Sequence, residues 1–160
     1  MLNRLFPGQA DNRFEGHRAA LWLLGLFVTL KLVMSVNSIL NTESIATGDG
    51  IPLDSFGAAA AREVLLLFAL MALGQLMLAL IALAILIRYR ALVPFICLLL
   101  LSERLAGRLI VQSHAVAGAE NPPIVWIMAI ALPTLLILAL VLSLIPARGA
   151  RARSPNKEKA

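Results

Sequence analysis

The chain has 160 residues, of which 60% are hydrophobic and 14% charged, with a formal charge of +5. Its mean hydropathy of +0.87 excludes an ordinary soluble domain, in which roughly 45–50% of residues are apolar. The length leaves room for one compact membrane domain and no second globular unit. The basic residues flank apolar runs, where they follow membrane topology and meet anionic lipid headgroups, so no nucleic-acid partner is expected.

Residues 1–17 read as a cytoplasmic tail, solvated apart from Leu2, Leu5 and Phe6, which would touch the bilayer surface. No cleavable signal peptide and no lipidation motif are expected. The polar lead is too long, and the apolar run after it outlasts a signal h-region and lacks a small-residue cleavage site. A first span is predicted over 18–40, long enough for the ~20 residues that a hydrocarbon core requires, with Trp22 near an interface. Within it Lys31, Ser35 and Ser38 fall at helical spacing and form one polar stripe.

Residues 41–57 read as an extramembrane loop, with Gly-Asp-Gly, then Pro52, then Asp54-Ser55 as a helix N-cap. Asp49 and Asp54 fit turn chemistry and lack the EF-hand pattern, so no metal is expected. The Asp49-Gly50 and Ala61-Arg62 pairs resemble the opening of the CDP-alcohol phosphotransferase signature, but the later Gly and paired Asp residues of that signature are missing. A second helix is predicted from Ala58 to Arg88, its membrane-embedded part within 61–87 and Gln75 at mid-span. Met71, Ala72, Ala79 and Ala82 share the face of Gln75, where small residues let another backbone approach and the amide bond across.

After a tight turn holding Arg88 and Arg90, a third span is predicted over 91–113, with Pro94 tolerated in its first turn. Asn121 as N-cap and Pro122 at the first helical position open a fourth span over 122–145, with Trp126 near an interface and a kink expected at Pro133. Residues 147–160 form a basic tail expected to be disordered in the cytoplasm. The single Cys97 rules out an internal disulfide and a CxxC pair, and reads as a packing residue.

The distribution of Lys and Arg decides the orientation. Ten lie in the N-terminal tail with the adjoining Arg18, the turn at 88–90 and the C-terminal tail, whereas the other two loops hold Arg62 and five acidic residues. Both termini are therefore expected inside, which requires an even number of spans. The fold class is an all-α integral membrane protein, a four-helix transmembrane bundle in the plasma membrane, or in the inner membrane of a bacterium.

Three charges, Glu103, Arg104 and Arg108, stand inside the third span. Its twelve Leu, Ile, Phe and Val residues favour insertion by roughly 5 kcal/mol in sum, while each charge opposes it by up to ~2.5–3.5 kcal/mol at the centre. This helix depends on its neighbours. Lys31 is thirteen residues beyond Arg18, and Glu103 thirteen beyond Arg90, so both lie at one depth and an ion pair between them is expected. On a helical wheel Glu103, Gly107 and His114 share a face with Arg104, Arg108 and Gln112 beside it, and Leu98, Leu105 and Leu109 face lipid. Arg104 should lean back toward its helix start, and Arg108 should reach headgroups or Glu120.

Lys31, Gln75, Glu103, Arg104 and Arg108 are thus the candidate intramembrane polar site, because ionisable residues at such depth either serve a function or fix helix register. No cofactor is expected: haem ligation wants facing histidines, whereas His17 and His114 lie near opposite surfaces. Quinone-coupled disulfide formation wants cysteine pairs, and intramembrane proteolysis a Ser-His or paired-Asp set. Small multidrug exporters are similar in size and in having one buried Glu, but theirs is in the first span without an adjacent Arg. The composition therefore points to a non-enzymatic accessory or interaction subunit, in a homo-oligomer or larger membrane complex. The rival is a small oligomeric transporter or channel using Glu103, Lys31 and Arg104.

Overall fold

Long runs of Leu, Ala and Ile bounded by Gly, Pro and Arg fold as helices, and every regular element among the described residues is helical. The computed structural model describes residues 16–113 and 123–145, together with residues 5, 11, 12 and 14. The elements are α1 (Ala19–Leu40), α2 (Thr42–Gly48), α3 (Ala58–Arg88), α4 (Val93–Ser113) and α5 (Pro123–Leu144). Helices α1, α3 and, from Trp126 onward, α5 are long and apolar enough to cross a membrane. Helix α4 matches them in length, with 21 residues, but not in composition, because Glu103, Arg104 and Arg108 interrupt its apolar run.

The predicted loop at 41–57 is mostly ordered. Helix α2 follows α1 after Asn41 alone and closes with Gly50 at φ +88°. The Ile51 amide donates to the Ala46 carbonyl at 3.1 Å and the Gly50 amide to that of Thr47 at 3.0 Å, the paired bonds of a Schellman motif, which a left-handed Gly closes at least cost. Seven residues are too few to show a helical period, which is why the element escapes a reading of hydrophobic spacing. The N-cap also differs from expectation. A short 3₁₀ turn, Leu53–Ser55, takes up Asp54 and Ser55, and the Ser55 hydroxyl donates to the Pro52 carbonyl at 2.7 Å. The cap of α3 is Gly57, without a side-chain hydrogen bond.

Between α3 and α4 the chain makes the turn Arg90–Leu92, with Arg90 Nε donating to the Leu86 carbonyl at 3.2 Å. Helix α1 packs along α3 and α5, and α4 packs along α5 and more sparingly on α3. One apolar cluster draws on all four long helices: Leu24, Phe27 and Val28 of α1, Ala82 and Ile85 of α3, Val93, Ile96, Cys97 and Leu100 of α4, and Leu132, Leu136 and Ala139 of α5. These positions fall toward the end that holds the α3–α4 turn. Many other Leu, Ile and Val side chains are exposed around the outside, as on a surface meant for lipid.

The segment before α1 is not wholly solvated. The His17 amide donates to the Leu142 carbonyl at 3.0 Å, and the Ala91 amide to the Asp11 carbonyl at 3.2 Å. Phe14 packs on the core and Gly16 is buried. These residues strap the end of α5 to the α3–α4 turn. Leu2, Phe6, Asn121, Pro122, residues 114–120 and the basic tail lie outside the described residues.

A Cβ at Gly16 would overlap the Ser143 carbonyl oxygen and stand 2.9 Å from its carbon, whereas one at Gly74 would meet nothing within 4 Å. Gly16→Ala is therefore expected to destabilise the protein by about 1–3 kcal/mol through strain. Gly74→Ala is expected to be neutral or to stabilise by up to ~1 kcal/mol through helix propensity. Thermal denaturation in detergent checks both, and equal effects would contradict the docked strap.

Candidate functional site

Helix α1 buries Lys31 and Ser35 while Ser38 is half-buried, so the polar stripe faces the other helices. The ammonium of Lys31, only 3% exposed, cannot reach water and takes its partners from two other helices. It donates to Gln75 Oε1 on α3 and lies 3.3 Å from Glu103 Oε2 on α4. Gln75 Nε2 donates to Glu103 Oε1 at 2.8 Å, closing a triangle in which each group binds both of the others. Gln75, like Lys31 and Glu103, is thirteen residues from a basic flank, here Arg88. At ~1.5 Å per residue all three stand roughly 20 Å from that edge.

The alanine face of α3 makes this approach feasible. Ala72, Ala79 and Ala82 are buried beside Gln75, and small side chains bring α1 close enough for an amide to reach an ammonium. Met71, expected on this face, is instead 58% exposed. On α4, Leu98, Leu105 and Leu109 are exposed, on the arc expected to face lipid.

Arg104 leaves the triangle incomplete. Its Nε is 3.7 Å from Glu103 Oε2, beyond hydrogen-bond reach, and this buried nitrogen has no hydrogen-bond partner among the described residues. The guanidinium lies over the Phe27 ring, 6.0 Å from its centroid. Phe27 precedes Lys31 by one turn, so the side chain leans back along α4 as a helical side chain does. The ring face offers a cation–π contact without neutralising the charge.

Arg108 has a partner that the sequence reading did not name. Pro133 has no amide hydrogen, so the Ala129 carbonyl loses its intrahelical donor. Arg108 Nη1 donates to that carbonyl at 3.2 Å, and the guanidinium also stands over the Trp126 ring at 5.7 Å. In an apolar medium a free carbonyl must find a donor, and α4 supplies one. The signal was legible: a proline orphans the carbonyl four residues before it. The expected partner Glu120 and the His114 of the polar face lie outside the described residues. Gly107 and Gln112 are exposed and take no part in the triangle.

No cluster of three or more His, Cys, Asp or Glu suited to a metal occurs among the described residues. A groove of about 550 Å³ runs between α1 and α5, lined by Leu23, Ile127, Ile130 and Thr134 among others, with no charged side chain in its lining. The chain matches no protein family, no curated protein and no solved structure.

If Arg108 serves the orphaned carbonyl, Arg108→Leu is expected to destabilise the protein by about 1–3 kcal/mol by leaving that acceptor unsatisfied. In a Pro133→Ala background, where the backbone amide at 133 is restored, the same change is expected to cost less than half as much. Melting curves for the four proteins of this cycle measure it, and equal losses in both backgrounds would contradict the assignment.

Proposed function

We propose that this protein is a four-span plasma-membrane protein with both termini in the cytoplasm, acting as a non-enzymatic accessory or interaction subunit. The observation that carries this reading is the closed triangle of Lys31, Gln75 and Glu103, in which the charged groups at mid-helix are engaged with one another across three helices. Such an arrangement suits a clasp that fixes helix register better than a site that binds and releases a proton or an ion. The same triangle supports α4 as the fourth span. Its carboxylate meets the midpoints of two helices that are long and apolar enough to cross, and a helix with three charges tolerates that depth only with such partners. With Arg108 committed to the Ala129 carbonyl, a third reading, a lipid- or quinone-site protein in which Arg104 and Arg108 hold one anionic group, has less support.

The rival is an oligomeric transporter or channel with Glu103 as the coupling carboxylate. Purified protein in liposomes is expected to give no proton or ion flux above protein-free vesicles at acidic, neutral or mildly alkaline pH. Flux that depends on pH and is abolished by Glu103→Gln would overturn the accessory reading. For the topology, single cysteines placed in the N-terminal and C-terminal tails of a Cys97→Ala protein should react with an impermeant thiol reagent only after the membrane is opened. Reaction of the C-terminal site alone in intact cells would mean an odd number of spans, and reaction of both sites an inverted orientation.

A further inference from the structure

The buried seam of α4 runs through Val93, Cys97 and Leu100, each fully buried, at alternating spacings of four and three. The same spacing continues to Arg104, Gly107 and Val111, which in a packed helix would face a neighbour in turn. Here the seam opens. A Cβ at Gly107 would meet nothing within 4 Å, and Val111 is 67% exposed. Across from it Met71 of α3 is 58% exposed, although Ala82 and Ile85, at similar angles on the same helix, are buried. Helices α3 and α4 therefore part beyond the triangle and leave a slot with an apolar lining and a glycine in its wall.

Arg104 is the seam residue just before this slot, its side chain part-exposed and its guanidinium over Phe27. The triangle balances Lys31 against Glu103, so Arg104, 3.7 Å from Glu103 Oε2, is one positive charge in excess at mid-helix, and its buried Nε lacks a hydrogen-bond acceptor among the described residues. Both oxygens of Glu103 are already taken, by Lys31 at 3.3 Å and by Gln75 at 2.8 Å. Glu103 is the single carboxylate in the middle of any described span. A second copy of this chain would bring another Arg104 along with its Glu103 and leave the excess in place. A lipid phosphate lies at the membrane edge, whereas this guanidinium is directed toward Phe27 and the helix midpoint, which favours a donor of charge that itself crosses the membrane.

We propose that the slot between the outer halves of α3 and α4 receives a transmembrane helix of a partner protein bearing one carboxylate near mid-span, which pairs with Arg104. Gly107 lets that helix approach closely, and the exposed Met71 and Val111 flank it. The proposal rests on the interaction-subunit reading and names the chemistry of the partner.

The test uses the full chain in liposomes of zwitterionic lipid, with a labelled Leu/Ala helix of about 20 residues carrying one central Glu as the probe. Comparison helices carry Gln at the centre or Glu two turns nearer one end. Energy transfer is expected to report roughly tenfold tighter association of the central-Glu probe than of the Gln probe, and of the displaced-Glu probe a weaker one. Arg104→Gln should abolish the preference and Arg104→Lys should keep part of it. Gly107→Ile, which has space to fold, should weaken both central probes. Equal binding of the Glu and Gln probes, or a preference that survives Arg104→Gln, would overturn the proposal. So would a melting temperature that rises with phosphatidylglycerol in an Arg104-dependent manner, since lipid would then meet the charge. Absence of preference without ion flux would refute this docking face alone, whereas ion flux would refute the reading beneath it.

Discussion

An ammonium group in the middle of an apolar helix is the constraint on which this structure turns. Lys31 is held in a shell from which water is excluded, and isolation there would be far more costly than any single packing contact can offset. Its partners must come from other helices, because the side chains one turn away on α1 are Phe27 and Ser35. Gln75 and Glu103 answer that demand, and in doing so they bring α1, α3 and α4 to one level. Register along all three helices follows from a single point.

Below that level the protein is well packed, and above it the packing thins. Phe27, Leu24, Ile96, Leu100 and Leu136 fill the space toward the α3–α4 turn, and the strap at 11–17 closes that end with backbone hydrogen bonds. Above, α4 keeps α5 through Arg108 and the carbonyl that Pro133 frees, while Met71 of α3 and Val111 of α4 are exposed. The charges on α4 thus divide into three tasks. Glu103 clasps, Arg108 satisfies a broken helix, and Arg104 keeps a buried Nε with no hydrogen-bond acceptor among the described residues.

Much of this was legible in the amino-acid order because the signals are periodic or arithmetic. The bounds of α3 follow from a long apolar run ending in Arg88, and the meeting of Lys31 with Glu103 from equal distances to basic flanks. The direction of Arg104 follows from the geometry of any helical side chain. Helix α2 was not legible, since it is too short for periodicity and its capping glycine resembles an ordinary turn. The strap was hidden because backbone amides carry no sequence identity, and Gly16 reads as a loop residue until Ser143 is found against it. The Ala129 carbonyl is hidden for a different reason: a proline in a helix signals a kink, and the acceptor it frees shows its partner only once Arg108 of a second helix lies against it.

The most direct test of the account is a double-mutant cycle of Lys31→Met and Glu103→Gln, read as stability of the purified protein. Removal of one partner from a buried pair typically costs about 3–5 kcal/mol, because the other charge is stranded. Glu103→Gln is expected to be the worse single change, since it leaves Lys31 beside Arg104 with no carboxylate between them, while Lys31→Met leaves Glu103 with Gln75 and Arg104. The double variant is expected to recover most of the loss of Glu103→Gln. Strictly additive losses, or a Glu103→Gln protein as stable as the parent, would show that the clasp does not hold these helices together.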